Sequence, residues 1–389
     1  MYDMIIKGGM VIDPNGELNA AETIYIKDGV FKKHYPEESE DALNVIDASG
    51  CYVVPGLIDP HVHVYKGGGS FDLNTSADLY CIPNGVTTCI DGGSTGPLDF
   101  EGLLRSDATY STTNVKALLH LCFHGVLPLG YDEDEDPEAF DLAKAKRLVK
   151  LYGGKELVGL KVRMHKKSAG KYGIKPLQKT IEFAEEVEQT LGKKLSVAVH
   201  VTDLADDITI EDIVSVMRKG DVYTHTYMGI GPKTIIGSDG KIIDSIVKAR
   251  EKGIIFDSGG GSRNYNMNIL KEAFEQGFYP DFISTDGVGT TAYKNNFSIL
   301  HHASLYMNLG MSIEKIIKAM TLTPAECYGI INEAGTFMPQ ANGDVAIFKI
   351  IDRKRIFNDA WGNSYVGEKL IVPMATVKNG RIAFMQIFM

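Results

Sequence analysis

Two histidines separated by one residue end an apolar run near the start of the chain. His61 and His63 close the segment 55–63, which reads PGLIDPHVH. Alternate residues of a β-strand face the same side, so both imidazoles would point in one direction if this run forms a strand. Neutral imidazoles are good ligands for a borderline-soft cation such as zinc. The pair therefore indicates one part of a metal site.

Further candidate ligands end three other apolar runs. His200 ends the run VAVH, His225 ends YTH and Asp286 ends ISTD. In a (β/α)8 barrel, catalytic residues come from the carboxyl ends of several different strands. With the first two histidines, these residues place four histidines and one aspartate at the ends of four predicted strands. This joint placement predicts a metal-dependent active site.

Two cationic residues share one face of the predicted fourth strand, in the segment GLKVR. Because a buried lysine is unfavourable unless it is paired, a structural ion pair is the first interpretation of Lys161. Its ammonium form has no lone pair for a metal, whereas a carbamate formed with carbon dioxide would offer two oxygens that could bridge two cations. Arg163 lies about 6.6 Å further along the strand. There its guanidinium would bind a carboxylate or phosphate, or form an ion pair at the rim.

Two more residues are candidate substrate contacts. Tyr227 shares the face of His225 if the strand continues, and it would either hydrogen-bond to substrate or pack in the core. Arg263 follows the triple glycine Gly259–Gly261 and is a candidate for a second anion contact. The glycines either let the backbone approach a ligand closely or form a flexible turn.

Eight short apolar runs alternate with amphipathic stretches across the middle of the chain. The amphipathic stretches 137–152, 176–191, 208–219 and 242–252 predict helices. This alternation is typical of a parallel (β/α)8 TIM barrel, and the sequence lacks the GxGxxG and Walker motifs that would favour an open sheet. The apolar runs are Val53–Val64, Val86–Asp91, Val115–Phe123, Leu157–Met164, Leu195–Val201, Val222–Tyr227, Ile254–Asp257 and Phe282–Thr285.

Short predicted strands separated by turns occupy both ends of the chain. Asp28-Gly29 separates two of them near the start, and Asn379-Gly380 separates the runs 370–377 and 382–388 near the end. Such dipeptides are strong hairpin signals. We therefore predict an α/β protein in which 1–53 plus 340–389 form a small β-sandwich domain. Residues 54–339 would form the catalytic (β/α)8 barrel.

The composition excludes several classes of protein. The 389 residues include 40 Lys+Arg and 50 Asp+Glu, a net charge of −10, and no basic stripe, which argues against a nucleic-acid partner. No apolar run reaches the length of about 18 residues that a membrane span needs. The first residues lack the pattern of a signal peptide, and the five scattered cysteines are typical of reduced thiols. We expect a cytoplasmic homo-oligomer that acts on a small molecule.

These residues, with several other motifs, resemble the amidohydrolase superfamily over nearly the whole chain. The resemblance is to the dinuclear zinc branch that contains dihydroorotases, and most of all to the amidohydrolase/deacetylase metallohydrolase group. It is carried by PGLIDPHVH (55–63), TTCIDGGS (87–94), STD (284–286), TPA (323–325) and GDVA (343–346). It implies two Zn²⁺ ions bridged by a carboxylated lysine. The implied ligands are His61, His63 and Asp286 for the first ion, His200 and His225 for the second, and Lys161 for the bridge.

The resemblance implies hydrolysis of a C–N amide bond, or a related ester, in a small substrate. We expect Asp286 to act as general base and acid. We expect Arg163 to bind an anionic group, as in an N-acyl amino acid or an acylated hydroxy acid. Three alternatives stay open: a cyclic-amide hydrolase like dihydroorotase, a metal-dependent deaminase, and a non-catalytic scaffold.

Two departures and one residue bear on these alternatives. The segment 64–69 lacks the arginine expected after the His-x-His of a dihydroorotase. The deacetylase group tends to carry a Gly-His pair at the end of strand seven, where this chain has the segment 256–263, FDSGGGSR. Deaminases of this superfamily commonly use one metal and lack the bridging lysine, so Lys161 favours hydrolysis of an amide or ester.

Overall fold

The computed structural model describes residues 1–16, 18–67, 75–126, 135–231, 233–261, 263–292 and 298–386. Predicted features within 68–74 and at 387–388 lie outside these residues. The chain starts with short strands that precede the main sheet. They are β1 (Tyr2–Lys7), β2 (Met10–Asp13), β3 (Leu18–Ala21), β4 (Ile24–Lys27), β5 (Val30–Lys32), β6 (Ala42–Asp47) and β7 (Tyr52–Pro55).

A curled parallel sheet forms the centre of the molecule and makes this an α/β protein. Its strands follow one another in chain order, each hydrogen-bonded to the next. Their side chains are buried on both faces almost throughout, as expected for a parallel sheet covered by helices. The strands are β8 (Leu57–Val62), β9 (Val86–Asp91), β10 (Asn114–His120), β11 (Leu157–Met164), β12 (Ser196–Val201), β13 (Val222–Thr224) and β14 (Ile255–Asp257).

The predicted eighth strand is not a regular strand. The closing segment, Phe282–Gly287, forms isolated parallel bridges to the two edges of the sheet, one from Asp257 to Phe282 and one from Val62 to Gly287. Side chains take the backbone donors that a ladder would use. Ser284 N–H donates to Ser258 Oγ at 3.1 Å and Thr285 N–H to Asp59 Oδ1 at 3.3 Å.

Helices connect the strands of the sheet and follow the predicted stretches closely. The longest, over 175–191, begins one residue earlier than predicted and buries Leu177, Ile181, Ala184 and Val187, which lie on one face. Short 3₁₀ turns occur at 82–84, 108–110, 137–139 and 170–172. The helices are α1 (Ala77–Tyr80), α2 (Phe100–Ser106), α3 (Leu142–Tyr152), α4 (Lys166–Ala169), α5 (Lys175–Leu191), α6 (Ile210–Val216), α7 (Asp244–Lys252), α8 (Met267–Glu275), α9 (Gly289–Ala292), α10 (Ile299–Asn308), α11 (Ile313–Ala319) and α12 (Leu322–Cys327).

Strands from both ends of the chain share one sheet. After α12 come β15 (Val345–Asn358), β16 (Ser364–Lys378) and β17 (Arg381–Met385), and β15 pairs with β7 antiparallel. The resulting sheet has the order β17-β16-β15-β7-β2-β3, and a four-stranded sheet has the order β5-β4-β1-β6. Met4, Val53 and Val377 belong to one apolar cluster between these strands.

Within the described residues, no helix is both long and apolar enough to cross a membrane.

Candidate metal centre

His61, His63 and Asp286 lie together at the carboxyl end of β8. Asp286 Oδ1 is 3.5 Å from His61 Nε2 and 3.4 Å from His63 Nε2. One ligand atom from each of the three residues lies within 4.8 Å of the other two. Two imidazoles and a carboxylate that converge in this way form a suitable donor set for Zn²⁺.

The backbone of the closing segment brings Asp286 to β8. Asp286 N–H donates to His61 O and His63 N–H donates to Gly287 O, both at 2.8 Å. Asp286 has φ 44°, a left-handed conformation that is uncommon away from glycine. Behind it, Thr285 Oγ1 donates to the buried carboxylate of Asp59. The separation of the ligands on these two segments is therefore fixed by local contacts.

A hydrogen-bond partner holds the outer nitrogen of each histidine of the first group, His61 and His63. His61 Nδ1 lies 3.1 Å from Asp257 Oδ2, and His63 Nδ1 lies 2.8 Å from Ser94 Oγ. Ser94 in turn donates to Asp91 at 2.8 Å. Such partners fix the ring orientation and leave Nε2 facing the ligand position.

Gly92 and Gly93 lie so close to the site residues that a side chain at either position would overlap them. A Cβ at position 92 would overlap the ring of His61, and one at 93 would lie 2.7 Å from Lys161 Cβ. The pair comes from the TTCIDGGS motif that the sequence singled out. Its physical role is to let the end of β9 pass close to β8 and β11.

Lys161 is buried beside the first three ligands. Its Nζ lies 3.2 Å from His61 Nε2, and its side chain is 1% exposed. Among the described residues no carboxylate lies within ion-pair distance of this amine, so the structural ion pair considered from the sequence is not found there. Burial lowers the pKa of Lys161 to about 8, which makes the neutral amine accessible near physiological pH.

His200 and His225 face each other at the ends of β12 and β13. His225 Nε2 lies 2.8 Å from His200 Nδ1, and His225 Nδ1 lies 3.0 Å from Gly259 O. The ring of His225 is 5.4 Å from that of His61, which places this pair next to the first group. His225 has φ 67°, so it turns out of the strand direction at this point.

The protonation states suit cation binding. Burial lowers the pKa of His61, His200 and His225, to about 3 for the last. Burial alone would raise the pKa of Asp286, but the neighbouring His61 and His63 lower it well below its usual range. His61, His200 and His225 therefore offer neutral imidazoles with free lone pairs, and Asp286 offers an ionised carboxylate.

Arg163 lies next to His200, beyond Lys161 on β11. Its Nη2 is 3.5 Å from His200 Nε2, and its backbone N–H donates to Glu135 Oε1 at 3.1 Å. Glu135 is buried and also lies 2.9 Å from His120 Nε2. An anionic group bound by the guanidinium would therefore sit beside the second histidine pair.

The other two predicted substrate contacts, Tyr227 and Arg263, differ in their exposure to solvent. Tyr227 is 0% exposed, its hydroxyl donates to Phe278 O at 3.1 Å, and its ring packs against Phe274. The strand ends at Thr224, so the alternation that placed Tyr227 on the face of His225 does not extend to it. Its position favours the packing role over substrate binding. Arg263 is exposed in the turn after Gly261.

The backbone of the triple glycine lies close to side chains of the candidate site and its surroundings. A Cβ at Gly259 would overlap His225, one at Gly260 would overlap His302, and one at Gly261 would overlap Asp286.

Sequence reasoning assigned no role to Asp257 and Asn264. Asn264 Nδ2 donates to Asp286 Oδ2, and Asp257 contacts His61 as described above. Asp257 ends a predicted strand, as the assigned ligands do, and this is a signal that could have identified it. Asn264 lies in a turn and carries no comparable signal.

Comparison with known proteins places these features in context. The sequence pattern of the Amidohydrolase family matches residues 52–372. A deacetylase of Enterococcus faecalis (strain ATCC 700802 / V583) is 28% identical over 390 residues, which cover 98% of this chain and 99% of that protein. The crystal structure of an adenine deaminase superposes with a TM-score of 0.87 at 26% identity, covering 99% of this chain and 100% of the other. That of a dihydroorotase gives 0.83 at 22% identity, covering 97% and 98%.

Proposed function

Because the chain belongs to the amidohydrolase family, it is a hydrolase that acts on carbon–nitrogen bonds, and we propose that it removes the acyl group from a small anionic substrate. An N-acyl amino acid fits this description, as does the related ester, an acylated hydroxy acid. The observation that carries the proposal is the convergence of His61, His63 and Asp286 beside a buried Lys161. The full-length similarity to a deacetylase supports the acyl group as the part that is removed.

The proposal includes two Zn²⁺ ions. His61, His63 and Asp286 would hold the first, His200 and His225 the second. When bound, zinc acts as a Lewis acid toward a carbonyl oxygen and lowers the pKa of water. The neutral imidazoles and the ionised carboxylate support this assignment, because these are the protonation states that ligands need.

Lys161 would bridge the two ions as a carbamate. Its neutral amine adds to carbon dioxide, a C–N bond forms, one proton leaves the nitrogen, and the product carries one negative charge. Burial supports this step because it lowers the pKa of the amine to about 8. Among the described residues no carboxylate stabilises the ammonium form by an ion pair, which favours the neutral amine that reacts.

The protein side chains would then guide the proton and the substrate. Asp286 would accept a proton from the attacking water at Oδ2 and deliver it to the leaving nitrogen. The low pKa of Asp286 keeps its carboxylate ionised. Arg163 would bind the acid group of the substrate with a charge-assisted hydrogen bond beside His200.

The architecture and assembly of the enzyme belong to the same proposal. We infer that the closing segment completes an eight-stranded barrel, supported by its bridges to both edges of the sheet. Residues 1–53 plus 340–389 would form the smaller β domain, supported by the sheet that joins both ends. A homo-oligomer without nucleic-acid or membrane partners remains the expected assembly.

A deaminase is the second candidate function. The likeness to the adenine deaminase structure favours it, whereas a buried lysine at a bridging position favours acyl transfer to water. A dihydroorotase-like hydrolase and a non-catalytic scaffold rank below these. A scaffold would have no need for all of the convergent ligands.

A metal-reconstitution assay tests the proposal. The protein is stripped of metal, reloaded with Zn²⁺, and offered N-acyl amino acids, acylated hydroxy acids, cyclic ureides and adenine. Each acylated acid is paired with its neutral amide. We expect zinc-dependent release of the acyl group with preference for the acids, and loss of at least about a hundredfold in Asp286→Asn. Ammonia release from adenine would favour the deaminase, and equal behaviour of metal-free and reloaded protein on every substrate would overturn the proposal.

A further inference from the structure

The end of β14 and the turn after it supply none of the proposed metal ligands, yet they contact three of them. Asp257 Oδ2 is 3.1 Å from His61 Nδ1, and Gly259 O is 3.0 Å from His225 Nδ1. Asn264 Nδ2 donates to Asp286 Oδ2. We call Asp257, Gly259 and Asn264 the outer clamp. It touches ligands that come from β8, from the end of β13 and from the closing segment.

Hydrogen bonds connect the members of the outer clamp to one another. Gly259 N–H donates to Asp257 Oδ1 at 3.1 Å, Gly261 N–H to Gly259 O at 2.8 Å, and Asn264 N–H to Gly261 O at 3.0 Å. Ser284 Oγ from the closing segment also donates to Asp257 Oδ1. The clamp is therefore a connected unit, and a shift in one member changes the position of the others.

The two oxygens of Asp286 have different surroundings. Oδ1 faces His61 Nε2 and His63 Nε2 at 3.5 and 3.4 Å, on the side where the first ion would bind. Oδ2 accepts the amide N–H of Asn264. A carboxylate oxygen has a second lone pair, so Oδ2 keeps the capacity to accept a proton while this hydrogen bond is present.

We propose that Asn264 is the positioning residue for Asp286. This inference rests on the proposed function, in which Oδ2 moves the proton. The amide N–H holds the plane of the carboxylate so that Oδ1 stays with the first ion and Oδ2 faces the attacking water. Without the amide, rotation about χ2 exchanges the two oxygens, because sp³–sp² torsions have broad and roughly two-fold preferences. The close approach of Gly261, which leaves no space for a side chain beside Oδ2, holds the donor against its acceptor.

Two substitutions separate the hydrogen bond from simple filling of space. Asn264→Ala removes the donor and the volume. Asn264→Asp keeps the shape but places a second negative charge beside Asp286. If the donor is what matters, turnover falls about tenfold to a hundredfold in Asn264→Ala, the range for a hydrogen bond to a charged group. It falls further in Asn264→Asp, while KM changes little in either variant. Asn268→Ala is the matched control, since Asn268 is exposed and its side chain bonds only to Asn363 in the described structure.

A measurement that needs no substrate accompanies the kinetics. Reloading the metal-free proteins with Co²⁺ gives a visible spectrum that depends on how the ligands are arranged. We expect Asn264→Ala and Asn264→Asp to bind the metal but to differ in spectrum from the parent protein, and Asn268→Ala to match it. Turnover and spectrum near the parent values in Asn264→Asp would overturn the inference, because only the volume would then matter. If the parent protein itself neither binds metal nor hydrolyses acylated acids, it is the proposed function that fails.

Discussion

At the scale of single residues, the burial of Lys161 determines the pH at which its amine loses its charge. The free energy of burying an ammonium ion without a carboxylate partner is unfavourable, and the lowered pKa of about 8 expresses this. The unfolded chain holds the same proton up to about pH 10.5. Between these two values the unfolded state binds more protons than the folded state, so the stability of the metal-free protein should rise with pH.

The prediction for Lys161 follows from this rise of stability with pH. In buffer free of carbon dioxide, the free energy of unfolding of the metal-free protein should rise by roughly 3 kcal/mol between pH 8 and 10.5. Lys161→Met, which lacks the titrating amine, should show a much smaller rise. Denaturant unfolding at several pH values measures the difference. Parallel pH curves for the two proteins would show that the amine finds a compensating partner.

Arg163 is the second residue for which we make a prediction. Its guanidinium lies beside His200, so it would bind the acid group of a substrate whose carbonyl reaches the metal site. Arg163→Met should lower kcat/KM for acylated acids by about tenfold to a hundredfold and leave neutral amides nearly unaffected. Paired assays on acids and amides give this ratio. Equal losses on both would assign Arg163 to the rim structure.

At the scale of elements, the closing segment sets the geometry of the first metal position. It pairs with its neighbours through isolated bridges and not a regular ladder, and the Asp59–Thr285 contact holds it to β8. Thr285 Oγ1 also accepts Gly287 N–H at 3.1 Å. One hydroxyl therefore stabilises the backbone on both sides of Asp286.

Thr285→Val keeps the shape of this side chain and removes both hydrogen bonds. We expect the free energy of unfolding to fall by about 1–3 kcal/mol, because buried polar groups lose their partners. We expect Zn²⁺ affinity to fall by about tenfold to a hundredfold, as for other groups that support metal ligands. Chemical unfolding and metal titration measure the two effects. Thr190→Val, at an exposed position of α5, serves as the control. Unchanged zinc affinity in Thr285→Val would show that β8 alone fixes the ligands.

At the scale of the whole molecule, both chain ends pack into one β structure. Val345 on β15 pairs with Pro55 on β7 and with Val377 on β16, and it is 0% exposed. The hairpin of β15 and β16 also packs on α10, where Tyr365 Oη donates to Asn308 O at 2.8 Å. The end sheets and the central sheet are thus linked through several contacts, which predicts that they unfold together.

Val345→Ala tests this coupling. Removing two methyl groups from this buried position should lower the free energy of unfolding by about 1–3 kcal/mol. Val366→Ala, at a position that is 54% exposed, should change it little. Trp361, the single tryptophan, reports the hairpin by fluorescence, while circular dichroism reports the whole chain. A fall of the fluorescence midpoint alone would show that the β structure unfolds independently.

The sequence by itself determined the candidate ligands and the order of the elements around them. His61, His63, His200 and Asp286 stand at the ends of apolar runs, and both strand alternation and strand ends are local properties of the chain. The predicted runs and helices accordingly agree with the structure in most places. The alternation of side chains along a strand does not extend to Tyr227, because the strand ends at Thr224 and the next residue has a left-handed conformation.

Only the tertiary structure decided which residues support the ligands. Asp257 contacts a histidine 196 positions away, and Asn264 contacts an aspartate 22 positions away in another segment. Such pairs depend on the curvature of the sheet and on where a turn places a side chain. Alternation and propensity describe neighbours along the chain and contain no information about these distances. The local sequence therefore identifies the ligand residues, whereas their orientation depends on the folded molecule.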